Sequence, residues 1–146
     1  MNTVLVIDDD RDLREALCSA LDDCGFPAVG CGDGRQALDY LQGNSPKPAL
    51  ILLDWMMPVM SGGEFRQEQV KDPRLAEIPV IVISAHVKAD LSGVSSGVKS
   101  LLRKPFPLGE LIAEVEKYVP RQPRRPFAKS STASTSSARV FITNGP

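Results

Sequence analysis

Five short apolar runs, each followed by a stretch with helical spacing, limit what this chain can fold into. The runs lie at 3–7, 28–30, 49–53, 79–83 and 100–102. Strands that alternate with helices along a chain are typical of a parallel sheet covered by helices on both faces. The sequence therefore predicts an α/β fold built from five strand–helix units.

The stretches between the runs predict the helices. Leu13, Leu17 and Leu21 recur every four residues and form the apolar stripe of a first helix that ends near Gly25. Segment 88–98 is rich in serine and glycine, which are poor helix formers, so we expect a short or mobile fourth helix there. Starts of the other helices are predicted at Asp33 and Ser61, both with a capping-box pattern, and near Pro107, with a stop at Pro120.

Length and composition indicate one compact domain. The 146 residues include 42% hydrophobic residues, which is enough for a core of ordinary size. The N-terminus enters a strand pattern at once, without a basic region and apolar signal segment, so we expect a soluble protein that is not exported. Cys18, Cys24 and Cys31 are odd in number and lack the spacing of a zinc site, which predicts reduced, partly buried thiols.

Charge divides the chain into two parts. Residues 1–120 carry 12 basic and 18 acidic side chains, whereas residues 121–146 carry five basic side chains and no acidic one. The second part is rich in serine and proline and poor in apolar residues, so we expect a disordered tail or a linker after a domain at 1–120. The sequence leaves open whether 140–143 is a short docking element.

Charged side chains follow the predicted strands. Asp8 and Asp9 come after the first run, Asp54 after the third, and Lys104 after the fifth. Open α/β sheets bind ligands beyond the carboxyl ends of their strands, and carboxylates that share a cleft repel each other and welcome a divalent cation. Oxygen ligands favour magnesium, calcium or manganese over zinc. We therefore predict a cation site with a nucleophile, whereas Asp10 is assigned to the N-cap of the first helix.

These residues resemble the receiver domains of two-component response regulators. The resemblance covers about 3–119 and rests on the segments 4–10, 53–62, 82–85 and 104–106 in family order. It implies a flavodoxin-like, doubly wound parallel sheet of strand order 2-1-3-4-5, similar to that of chemotaxis regulators, and usually a cis bond before Pro105.

The resemblance also implies a role for each site residue. Asp54 is similar to the phosphoacceptor of the family, and Ser84 and Lys104 to the hydroxyl and the cation that contact its phosphoryl group. Asp8, Asp9, Asp54 and the backbone carbonyl of Met56 are similar to the ligands of Mg²⁺, for which Mn²⁺ could substitute.

Three positions qualify the resemblance. Leu101 occupies a position that usually holds an aromatic switch residue, so the usual switch is in doubt. Ser61 replaces a common aspartate, but with Glu64 it still forms a capping box, and we expect little loss. His86 lies where the family tunes dephosphorylation, and we assign it no catalytic role.

The sequence thus predicts a stand-alone receiver that accepts a phosphoryl group from a histidine kinase or phosphotransfer protein and switches its protein partners, as a monomer or a phosphorylation-dependent dimer. It is expected to turn over no external substrate and to have no DNA-binding domain and no membrane span. A receiver fragment of a longer regulator is the first alternative. A phosphatase or phosphotransferase is less favoured, because Met56 stands where such enzymes often have a second acid. A flavin-binding protein is less favoured because the loop after the first strand is acidic.

Overall fold

A computed structural model describes residues 3–43, 46–85, 97–120 and 141–142. Their helices and strands form one layered α/β unit, with a short two-stranded ladder beside it. In chain order the elements are β1 (Val4–Ile7), α1 (Arg11–Asp23), β2 (Ala28–Cys31), α2 (Gly34–Gln42), β3 (Leu50–Asp54), α3 (Gly62–Lys71), α4 (Pro73–Ala76), β4 (Val80–Ser84), β5 (Val98–Arg103), β6 (Phe106–Pro107), α5 (Leu108–Glu116) and β7 (Phe141–Ile142).

The main sheet has five parallel strands in the order β2-β1-β3-β4-β5, which confirms the predicted fold and strand order. Ile7 of β1 pairs with Leu53 of β3, so the next residues in register are Asp8 and Asp54. Parallel strands end at a common edge, and the acidic residues that follow the strands in sequence therefore gather at the carboxyl edge of the sheet.

The core lies on both faces of the sheet, because side chains alternate between the faces along each strand. Val4 and Val6 pack on the side of α1 and α5, whereas Leu5 and Ile7 pack on the side of α2 and α3. Every residue of β1, β3 and β4 is buried. Burial of a leucine-sized side chain contributes roughly 1.5–3 kcal/mol, so these three central strands hold the site edge firmly.

Caps fix where the helices begin. Asp10 is the N-cap of α1, as predicted, and its side chain accepts a hydrogen bond from the Leu13 N–H at 3.1 Å. Ser61 and Glu64 form the complete capping box of α3. The box predicted at Asp33 is only half correct. Asp33 caps α2, but the side chain of its box partner accepts from the N–H of Gly32.

Several predicted boundaries need correction. Asp54 and Ser84 are the last residues of their strands, and Val98 begins β5 and does not end a helix. Residues 88–96 of the predicted fourth helix lie outside the described residues, as does His86, and Gly97 forms a turn with a φ of 86°. The sequence reading missed the short helix α4, which starts at Pro73, and α5 ends at Glu116, before Pro120.

The C-terminal pair Phe141–Ile142 forms an antiparallel ladder with β6, which supports the docking-element alternative for 140–143. The remainder of the 121–146 tail lies outside the described residues, so its predicted disorder stays a prediction. Among the described helices, none has the length and apolar character needed to cross a membrane.

Candidate functional site

Asp54 is the carboxylate at the end of the central strand β3. It is 4% exposed, although the loop that begins with Trp55 leaves the sheet immediately after it. The Trp55 N–H still donates to the carbonyl of Ile83, at 3.0 Å, which extends the ladder one residue past Asp54. The Met56 N–H donates to Asp54 Oδ1 at 3.3 Å. These contacts hold the carboxylate at the carboxyl edge of the sheet.

Asp8 and Asp9 follow β1 and lie beside Asp54. Asp8 is 1% exposed, and its Oδ1 accepts from the Asp10 N–H at 2.9 Å, whereas Asp9 is exposed. Arg14, on the first turns of α1, donates to the Asp8 carbonyl at 2.8 Å. Asp8, Asp9 and Asp54 offer ligand oxygens that lie within 4.8 Å of one another. The structure thus brings together the three carboxylates that the sequence singled out.

Lys104 supplies the cation of this cluster. Its Nζ lies 3.2 Å from Asp8 Oδ2 and 3.8 Å from Asp54 Oδ2, and its side chain is 5% exposed. The Lys104 N–H donates to the carbonyl of Ser84 at 2.8 Å, which fixes the backbone from which the side chain extends. The bond between Lys104 and Pro105 is cis, as the resemblance implied. The ammonium group therefore spans two strand-end carboxylates.

Ser84 ends β4 and is fully buried. It pairs with Arg103 of β5, and this register places Lys104 one residue further along the same edge. Ser84 and Lys104 thus come from neighbouring strands, next to the strand that carries Asp54. Met56 lies on the loop after Asp54, where its carbonyl remains a predicted ligand.

The surroundings of Asp54 raise its pKa to about 7. Burial is the largest cause, because it disfavours the charged carboxylate, and the negative charge of Asp8 adds to it. Lys104 and the Met56 N–H lower the pKa, whereas the Asp9 carboxyl raises it. One lysine therefore does not balance the crowded carboxylates.

The donor set fits a magnesium ion. Three carboxylates from two neighbouring strand ends supply only oxygen, which is the ligand type that Mg²⁺ prefers. Burial and the negative charge of Asp8, which raise the pKa of Asp54, would also favour a bound cation in this pocket. A divalent cation would relieve the same repulsion.

Comparison with known proteins agrees with this geometry. The chain matches the family described as the response regulator receiver domain over residues 4–116. It belongs to this family. The receiver domain is 34% identical over 115 residues to the phosphate regulon transcriptional regulatory protein PhoB of Escherichia coli, with 77% of this chain and 49% of PhoB covered. The chain thus spans about half the length of that curated relative.

Solved structures show the same fold. The response regulator TrrA of Thermotoga maritima, in complex with Mg²⁺–BeF, is 29% identical, with a TM-score of 0.69 and coverage of 80% of this chain and 98% of TrrA. The chemotaxis protein CheY4 of Vibrio cholerae is 26% identical, with a TM-score of 0.73 and coverage of 82% and 99%. The receiver domain described here is therefore CheY-like in architecture.

The loop of the receiver domain after Asp54 contains a strained residue. Val59 has a φ of 69°, and the Met60 N–H donates across it to the carbonyl of Pro58 at 2.7 Å. A positive φ is unfavourable for a β-branched residue, and such a conformation costs of order 1–3 kcal/mol. Val59 is 81% exposed, so core packing does not account for its presence.

Val59→Gly is expected to raise the free energy of unfolding by about 1 kcal/mol, because glycine adopts a positive φ without strain but loses more backbone entropy on folding. Urea titration of the wild type and the variant measures the change. Val59→Ala is the matched control, since alanine removes the β-branch but keeps the Cβ at a positive φ, and it should gain less stability than glycine. An equal gain in both variants would locate the effect in the valine side chain instead of the backbone.

Gly62, the first residue of α3, lies directly against the backbone of the site. A Cβ added there would lie 2.7 Å from Trp55 Cα and 2.8 Å from the carbonyl oxygen of Asp54. The Gly62 N–H also donates to the carbonyl of Trp55 at 3.0 Å. Glycine at this position lets the helix start against the strand end that carries the carboxylate.

Gly62→Ala is expected to lower the free energy of unfolding by about 1–2 kcal/mol, because the new methyl group must push the Asp54–Trp55 backbone or the helix aside. Thermal or urea unfolding measures the loss. Gly109→Ala is the control, since a Cβ at Gly109 has no neighbour within 4 Å and that residue lies in α5. Equal stability of the two variants would contradict the close contact.

The sequence reading missed Arg14 and Gly62 as supports of the site. A signal for Arg14 was its position in the first turn of α1, close in sequence to the strand-end acids and next to the apolar stripe. The contact of Gly62 depends on how α3 meets β3, which local pattern does not give. Leu101, in the usual aromatic switch position, is 39% exposed on β5.

Proposed function

We propose that this receiver domain accepts a phosphoryl group on Asp54, in the presence of Mg²⁺ or Mn²⁺, and thereby changes which proteins its surface binds. The donor is a sensor histidine kinase or a phosphotransfer protein. The observation that carries the proposal is the buried Asp54 carboxylate at the strand edge, grouped with Asp8 and Asp9 and facing the ammonium group of Lys104. The proposed place of action is the bacterial cytoplasm.

In the proposed reaction, an ionised oxygen of Asp54 attacks the phosphorus atom of the phosphohistidine in line with its P–N bond. The P–N bond breaks, its electron pair returns to the imidazole of the donor, and an aspartyl phosphate remains. Lys104 places a positive charge beside the oxygens that gain negative charge, and the Ser84 hydroxyl donates to a phosphoryl oxygen.

Asp8, Asp9, Asp54 and the Met56 carbonyl would hold the divalent cation. When bound, it would stabilise the negative charge on the transferring phosphoryl group. Without it, Asp54 is partly protonated near neutral pH, because its pKa is about 7. In the absence of the cation, Lys104 pairs with Asp8 and offsets one of the negative charges.

The proposed unit of function is residues 1–120, with 121–146 as a basic tail or linker. The protein is its own substrate in this scheme, so one phosphoryl group per chain is the expected stoichiometry. The same chemistry would operate in a stand-alone protein or in a longer regulator.

Incubation with acetyl phosphate and Mg²⁺, followed by intact-mass analysis, tests this function. One labile phosphoryl group is expected on the wild type, with Mg²⁺ required and with a change in the fluorescence of Trp55, which adjoins Asp54. Asp54→Asn should take up none, whereas Asp39→Asn, at an exposed position of α2, should behave as wild type. An adduct that persists in Asp54→Asn would overturn the assignment. Steady release of phosphate over many turnovers from a small phosphomonoester would favour a phosphatase.

A further inference from the structure

A second ladder, outside the main sheet, joins the C-terminal segment to the region next to the site. β7 pairs antiparallel with β6, with Phe106 opposite Ile142 and Pro107 opposite Phe141. β6 follows directly on the Lys104–Pro105 bond, and α5 begins directly after it. The backbone of residues 141–142 therefore pairs with the chain just beyond the site lysine.

β7 contacts both chain segments that follow the residues of the Lys104–Asp8 ion pair. β6 starts two residues after Lys104, and β7 also contacts α1, which starts three residues after Asp8. The Nζ of Lys104 and Oδ2 of Asp8 are 3.2 Å apart. β7 thus bridges the two chain segments that this ion pair connects.

The ladder is weak enough to respond to a change in the site. Only two residues of each strand pair, and Pro107 has no N–H to donate. Because a single backbone hydrogen bond contributes little net stability in water, so short a ladder is marginal. Phe106, by contrast, is 1% exposed, so β6 is anchored in the core and β7 is the strand that can dissociate.

Charge favours the chain's own tail as the occupant of β6. Segment 121–139, which leads to β7, carries five positive charges and no negative one, and residues 1–120 carry a net charge of −6. The covalent connection also makes pairing intramolecular, which raises the effective concentration of the segment.

We infer that β6 is a strand-addition site, filled in the unmodified protein by the chain's own residues 141–142, and that a phosphoryl group on Asp54 weakens this pairing. The inference rests on the proposed function. The pairing is seen with Lys104 on Asp8, and a phosphoryl group on Asp54 adds negative charge that draws Lys104 away from Asp8 and shifts the backbone that leads into β6. Because coupling between two sites is reciprocal, the seated β7 disfavours the modified state of Asp54.

Hydrogen exchange of the full chain tests the pairing and its coupling. The peptide that covers 140–146 is compared with and without Mg²⁺ and beryllofluoride, a mimic of the aspartyl phosphate, while acetyl phosphate uptake is followed by intact mass. The variant Phe141→Pro/Ile142→Pro removes both amide donors of β7. The control Ser134→Pro/Thr135→Pro carries the same two prolines outside the described strands.

In the wild type, exchange at 141–142 is expected to quicken about 5- to 10-fold on modification, a coupling at the lower end of the usual range. The variant in β7 should bind beryllofluoride about 5- to 10-fold more tightly than wild type by the same reciprocity, and the control should match wild type. An unchanged affinity of the β7 variant, or unchanged exchange at 141–142 while Asp54 carries the adduct, would contradict the inferred coupling and leave the proposed function standing. Absence of any adduct on wild-type Asp54 would remove the proposed function together with it.

Discussion

Lys104→Met is expected to lower the free energy of unfolding by about 3 kcal/mol at pH 8 without divalent cations, since removal of one partner from a buried ion pair leaves the other charge uncompensated. The side chain of Lys104 is 5% exposed, and it is the ammonium group that faces both Asp8 and Asp54. Methionine fills a similar volume, so the loss reports charge more than packing. The partly buried carboxylates would then repel each other without a cation between them.

Urea titration at pH 8 and pH 5 measures this effect. The loss should be smaller at pH 5, where a protonated Asp54 no longer repels Asp8. It should also be smaller in the Asp54→Asn background, because one of the two repelling charges is already absent. Lys117→Met is the matched control, since Lys117 is exposed and pairs with Glu114 on the surface, where such pairs contribute about 0–1 kcal/mol. An equal loss from Lys104→Met in both backgrounds would contradict the coupling between Lys104 and Asp54.

Asp54→Asn is expected to raise the free energy of unfolding by about 2 kcal/mol at pH 8 without divalent cations. The amide removes a negative charge that burial and Asp8 disfavour in the folded state. The folded-state pKa of Asp54 is about 7, above its ordinary value of 3.8. The folded protein therefore binds more protons than the unfolded chain between these values. The contribution of Asp54 to stability is most favourable below about pH 4, is lost as the pH rises toward 7, and stays lost above it. Asparagine keeps the shape without the titration.

A series of urea titrations from pH 4 to pH 8 checks this prediction. The stability difference between Asp54→Asn and the wild type should grow as the pH rises through this range. Mg²⁺ at pH 8 should stabilise the wild type more than Asp54→Asn, since a ligand stabilises the folded state according to its affinity for it. Asp39→Asn should follow the wild type throughout. A difference that is constant across the pH range would mean that the raised pKa is not its cause.

The sheet and its carboxyl edge could be predicted from the sequence because both depend on local patterns of apolar and polar residues. Apolar runs of four to five residues mark the strands buried on both faces, and the first polar residue after each run marks the carboxyl end. Asp8 and Asp54 could thus be placed at one edge from the sequence alone, and Lys104 could be placed there as the second residue after the fifth run. The cap at Asp10 was also predictable, because capping depends on only a few neighbouring residues.

The parts that could not be predicted depend on contacts between distant segments. The Gln36 side chain accepts a hydrogen bond from the N–H of Gly32, one residue before the N-cap, because of the path that the chain takes from β2 into α2. The close approach of Gly62 to Trp55 and the pairing of β7 with β6 join residues whose positions are set by the whole fold. Helix α4 is a four-residue turn, too short to show periodicity.

Every residue of β1, β3 and β4 is buried, which separates the stability of the site from the variability of the surface. Asp8 and Asp54 lie at the ends of the fully buried strands β1 and β3, so fraying of exposed segments should leave these two carboxylates in place. The exposed faces of the helices do not hold the site carboxylates in place. Substitutions there can change the surface of the domain while the carboxyl edge of the sheet keeps its geometry, so the surface and the edge can vary independently.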